Sequence, residues 1–180
     1  MTSSEFVDNL KLIAPSEKSL VEQGLKKDFI ENYLDGYNLK MINSETVTDD
    51  PLLDLIYKYD ISNLDIGMIR FENRDDIMDT GRFILFGSYD ADVVAIDKIT
   101  NEVVVLDWEE ESRIMGKCSK DTETFLSALL KVAEFNEKMS SNDNLLNDQD
   151  AIKNKAREIA STAGGENYID FYLNILGYEG

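Results

Sequence analysis

Two runs of mostly β-branched residues, Val93-Val94-Ala95-Ile96 and Val103-Val104-Val105-Leu106, flank the polar segment Asp97-Lys98-Ile99-Thr100-Asn101. Such side chains are stiff and crowd a helix, but they pack well on a pleated surface. Two of these runs around a short polar turn predict an antiparallel hairpin, residues 91–97 with 102–107. Gly67-Met68-Ile69-Arg70-Phe71 and Arg82-Phe83-Ile84-Leu85-Phe86 read as further strands, the second a central one because its apolar run is unbroken.

On either side of this block the apolar spacing becomes helical. Leu20, Val21, Leu25, Phe29, Ile30 and Tyr33 recur at steps of three and four, so residues 16–33 predict one helix, or two pieces hinged at Gly24, with one buried face and Ser16 as the N-cap. Leu34-Asp35-Gly36-Tyr37 reads as a turn, followed by a short strand over residues 39–42. Asp49-Asp50-Pro51 is a helix start, with a carboxylate for the exposed amides and proline where no donor is missed. Asp49, Asp50 and Asp54 are therefore read as cap and first-turn charges. After an acidic loop, Asp121 or Thr122 starts a helix to about residue 139, its face carrying Phe125, Leu126, Leu129, Leu130, Ala133 and Phe135. Residues 148–162 and 166–176 predict two more helices, separated by Gly164-Gly165. The expected fold is α+β, a mostly antiparallel sheet of about four to six strands flanked by helices. Residues 1–140 form the α+β domain, and 141–180 a helical extension packed on it.

Charge narrows the function. Thirty-six acids against eighteen bases leave −18 on 180 residues. Such a surface repels phosphate backbones and anionic headgroups, which argues against nucleic acid and membrane as partners. It attracts basic proteins and speeds their encounter. A plainer reading is that acidity keeps the chain soluble. A hydrophobic content of 43% argues against disorder, and no apolar stretch is long enough to span a bilayer. Residues 1–6 show neither a basic start nor an apolar run, so no signal peptide is expected. Cys118 is the only cysteine, so no intrachain disulfide forms and a cytoplasmic location is expected.

The absence of histidine removes histidine-dependent triads and His-ligated zinc, and leaves Cys118 without an activating base. The glycines match neither a dinucleotide fingerprint nor a P-loop. No cofactor, metal site or catalytic residue is expected. Carboxylate chemistry stays open only through Asp90 and Asp92, with Asp97 or Asp107 nearby, as an acid pair or hard-metal site. Between Gly87 and Ser112 stand eight acids (Asp90, Asp92, Asp97, Glu102, Asp107, Glu109, Glu110, Glu111) against Lys98 alone. Crowded like charge opposes folding, which a basic partner would offset. Trp108, the only tryptophan, precedes three glutamates. It is either a partly buried ring closing the edge of the core or an interface anchor with an acidic rim.

The stretch from Phe83 through Gly87-Ser88-Tyr89-Asp90-Ala91-Asp92 to Asp97, then Asn101-Glu102-Val103-Val104-Val105-Leu106-Asp107, resembles the SUKH superfamily. Ser119 through Thr122, with Phe125 and Leu126, is similar to the family's following helix start. The likeness covers roughly residues 50 to 135 and rests on pattern, since the family has no catalytic signature. Leu34-Asp35-Gly36-Tyr37 is only a distant echo of its N-terminal elements, and the helices after Ser140 are additional. The resemblance implies an α+β fold and, as in many bacterial members, an immunity protein that neutralises a toxin, often a nuclease, by binding it. The expected partner is a basic cognate toxin, met by Asp90, Asp92, Trp108, Glu109, Glu110 and Glu111. The alternatives are a regulatory or scaffolding module that exposes Tyr168, Phe171, Tyr172 and Ile175, or a carboxylate enzyme acting through Asp90 and Asp92.

Overall fold

The valine-rich pair forms the middle of the sheet. The computed structural model describes every residue except Glu45 and Glu111, and every side chain but theirs and that of Asp143. In chain order the elements are α1 (Ser3–Ile13), α2 (Glu17–Glu22), α3 (Lys27–Asp35), β1 (Lys40–Met41), α4 (Pro51–Lys58), β2 (Tyr59–Asp60), β3 (Asp65–Ile66), β4 (Ile69–Phe71) and β5 (Met78–Asp79). There follow β6 (Phe83–Tyr89), β7 (Asp92–Asp97), β8 (Val103–Leu106), β9 (Ile114–Ser119), α5 (Thr122–Ser140), α6 (Asp143–Leu146), α7 (Gln149–Ala163) and α8 (Ile169–Ile175). The fold is α+β. Among the described residues seven strands make one antiparallel sheet in the order β3-β4-β6-β7-β8-β9, with β5 also paired to β6; β1 and β2 pair separately. Two-residue strands carry the count past the expected range. Among the described residues no helix is long and apolar enough to cross a membrane.

The hairpin shows no polar alternation because both of its faces are covered. Val94, Ile96, Val103 and Val105 join Phe86 and Cys118 in the main core beneath the helices. Ala95, Val104 and Leu106 point the other way, into a small separate cluster with Phe83 and Leu85 that is built of strand residues alone. The β6–β7 register shifts between Leu85 and Gly87. At Gly87 a Cβ would lie 2.3 Å from the Arg70 carbonyl oxygen, so the close approach of β4 to this bulge requires glycine.

Helix starts follow the local chemistry. One oxygen of Asp50 accepts the amides of Leu52 at 3.0 Å and Leu53 at 2.9 Å. Its other oxygen accepts the Thr122 hydroxyl at 2.7 Å, which ties the starts of α4 and α5 together. Asp121 caps α5 by accepting the Thr124 amide at 2.7 Å, and the expected apolar face of that helix is buried.

Four expectations need correction. Helix α1 was not anticipated, although Thr2 and Glu5 form a reciprocal capping box and Phe6, Val7 and Leu10 bury one face. Residues 16–33 are the two pieces expected around Gly24, which takes φ 82°, but they do not share the one buried face expected of them. The break ends any common face, so Leu20 and Ile30 are buried while Val21 and Phe29 are exposed. Strand β9 occupies what reads as loop; Gly116 and Lys117 dilute its β signal, and it pairs with β8 across two register shifts. Finally, Tyr168, Phe171, Tyr172 and Ile175 are buried and are not offered to a partner. They complete the main core, and the Tyr172 hydroxyl donates to the Cys118 carbonyl at 2.8 Å.

Candidate interaction surface

Antiparallel pairing sends successive connections to opposite ends of a sheet. Tyr89 pairs with Asp92 and Val93 with Leu106, so the β6–β7 turn and the β8–β9 loop emerge at the same end. The β3–β4 turn joins them, its Met68 carbonyl accepting the Asp90 amide at 3.4 Å. The register thus brings Asp90 and Asp92 to the same end as Trp108, Glu109 and Glu110. Glu111 lies outside the described residues.

The β8–β9 loop is folded on itself. The Asp107 carboxylate accepts the Glu109 amide at 2.9 Å and lies 3.5 Å from the Arg113 guanidinium. The backbone closes through Asp107 N–H to the Arg113 carbonyl at 3.0 Å and Arg113 N–H to the Glu110 carbonyl at 2.8 Å. These bonds hold Trp108 at 61% exposure. At that exposure it is not the partly buried ring closing the edge of the core, and it belongs to neither apolar cluster. Asp90, Glu109 and Glu110 are exposed and Asp92 is half-buried. Among the described residues no cation lies within ion-pair distance of any of these four, although the Ser112 hydroxyl stands 3.4 Å from a Glu110 oxygen. Asp90 takes φ 53° in its tight turn, a conformation that glycine adopts with less strain.

The other end of the sheet treats its acids differently. The Asp97 side chain is 1% exposed and lies 2.8 Å from Arg82, whose guanidinium stacks over Phe83 at 4.6 Å. It also accepts the Ile99 amide at 2.9 Å. The hydrogen bond from Arg82 chiefly holds the Asp97 carboxyl below the usual range. Both oxygens of Glu102 accept from Lys117, at 2.9 and 2.7 Å, and one accepts the Tyr168 hydroxyl at 3.1 Å. Burial pushes the Glu102 carboxyl up, but these bonds outweigh it and leave the carboxyl lowered. Asp97 therefore sits a strand length from Asp92, about 17 Å at the usual rise, and takes no part in an acid pair with it. The acidic stretch is thus not one negative face, because local cations and register divide it.

Sequence reasoning missed two exposed side chains at the unpaired end, Met68 and Met115. Met68 stood in an assumed strand and Met115 in an assumed loop, so neither position signalled exposure. Methionine is soft and adaptable at binding surfaces, and tryptophan and methionine are enriched in interfaces. The arrangement can attract cations and bury apolar area. The Cys118 thiol is fully buried, and that burial pushes its pKa up. No family model, curated protein or solved structure matches this chain.

Proposed function

We propose that this chain works by binding a basic protein with the unpaired end of its sheet. In the light of the SUKH resemblance, it is a cytoplasmic immunity protein that occludes a cognate toxin. The observation that carries the reading is the exposure of Trp108 on a loop closed by its own hydrogen bonds, beside carboxylates without cations. An ordered aromatic loses little entropy on contact, and unpaired acids supply long-range attraction to a positive surface. Toxin domains that cleave nucleic acid carry such positive surfaces, since they must approach phosphates.

The test begins with proteins co-purifying from the native cell and with the gene upstream, expected to encode a large secreted protein with a variable C-terminal domain. Co-expression with that domain should restore growth of a bacterial host. The double variant Trp108→Ala, Glu110→Lys should lose at least about thirtyfold in affinity, the scale of an interface hot spot, while its circular dichroism and melting stay unchanged. Undiminished binding by the folded variant would reject this surface.

A further inference from the structure

Beside the unpaired end, β9 and the C-terminal helical segment enclose a surface cavity of about 240 Å³. Tyr89, Asp92, Met115, Lys117, Asp170 and Phe171 help to line it. The volume falls below the ~300 Å³ at which pockets for drug-sized ligands begin, so it suits a single side chain better than a cofactor. The Tyr89 and Phe171 rings, 5.3 Å apart and tilted by 58°, give it an aromatic wall. Its one lining cation, Lys117, is already held by both oxygens of Glu102. Asp92 and Asp170 have no cation among the described residues. The side-chain amides of Asn167 and Asn174, also in the lining, have no hydrogen-bond partner there. Unpartnered carboxylates and amide oxygens, an aromatic surface and a small volume together fit a flat cationic donor. A guanidinium is flat, permanently charged, rich in donors and stacks on rings, whereas a lysine ammonium is compact and strongly hydrated.

We infer that this cavity receives an arginine side chain of the basic partner. The inference deepens the proposed function and rests on it for the source of the arginine. The cavity is tested apart from any partner by titrating the ¹⁵N-labelled full chain with N-acetyl-arginine-N-methylamide and with its neutral citrulline counterpart. The arginine probe should give saturable NMR shifts confined to Gly116, Lys117, Asn167, Asn174 and their neighbours, and the citrulline probe none. The double variant Asp92→Asn, Asp170→Asn should bind the arginine probe at least tenfold more weakly, with the rest of its spectrum unchanged. Equal shifts from citrulline, shifts spread over the acidic surface without saturation, or an unaltered affinity in the variant would each overturn the cavity. Trp108 and Glu110 do not line it, so a silent cavity with partner binding intact sinks this inference alone. Specific arginine uptake without any partner binding through Trp108 sinks the proposed function instead.

Discussion

The two ends of one sheet use the same residue type in opposite ways. At the Asp97 end each carboxylate meets a cation from a neighbouring strand or turn: Asp97 meets Arg82, Asp79 meets Lys98 and Glu102 meets Lys117. At the Asp90 end four carboxylates stand with no cation among the described residues, next to exposed Trp108, Met68 and Met115. Paired acids hold the structure together. Unpaired ones add repulsion that the isolated fold does not need, which leaves their use to be sought in another molecule.

The strongest way to break this contrast is Asp97→Ala. It strips the Ile99 amide and Arg82 of their shared acceptor in a buried position, and should cost about 2 kcal/mol after allowing for the partial exposure of Arg82. Urea unfolding should show a lower midpoint with an unchanged slope. A loss like that of an exposed acid would mean that the pairing is decorative. The pH dependence sharpens the same point. Asp97 and Glu102 are lowered in the folded state. Their contribution is therefore fully present above the usual carboxylate range, around pH 4, and is lost as pH falls through the folded values below it. The urea midpoint of the wild type should fall across that acid window, and that of Asp97→Asn should fall less steeply.

The next effect belongs to the other end. Glu109→Gln with Glu110→Gln should slow association with the proposed basic partner about tenfold at low ionic strength, and the difference should shrink in salt. Glu102→Gln should leave the association rate alone. Equal slowing by both would mean that net charge alone steers the encounter. Smaller still is Asp90→Gly, which relieves the positive φ and should gain up to about 1 kcal/mol of stability while weakening the partner. A gain with no loss in binding would remove Asp90 from the contact. Least of all, Glu109→Gln should shift thermal stability by no more than about 0.5 kcal/mol, measured by scanning calorimetry.

Much of the fold was legible because its signals are local. Asp50-Pro51 and Asp121-Thr122 carry their own caps, and the runs 93–96 and 103–106 announce strands through χ1 stiffness. What escaped was decided at a distance. Whether an acid is spent or spare depends on a cation 15 residues away, as for Arg82 with Asp97 and Lys117 with Glu102. The apolar residues of α8 read equally as core or as a docking face, and only their packing against α7 and β9 decides between them. Strand β9 was hidden for the related reason that its pairing with β8 compensates for glycine and lysine at poor β positions. Helix α1, by contrast, carries its signals locally, in the capping box and in the spacing of Phe6, Leu10 and Ile13.

Tyr172 and Ile175 also bear on how the chain is born. The hairpin and the acidic loop leave the ribosome well before α8, yet Tyr172 fastens to Cys118 and Ile175 packs beside Gly67 only once α8 has been made. Until then the part of the main core that α8 covers stays open beside α5, an apolar surface prone to aggregation and chaperone capture. Synthesis therefore completes the support of the proposed contact surface only once these late residues have emerged, and a nascent chain stalled before Tyr172 should display the acidic end on an incompletely packed scaffold.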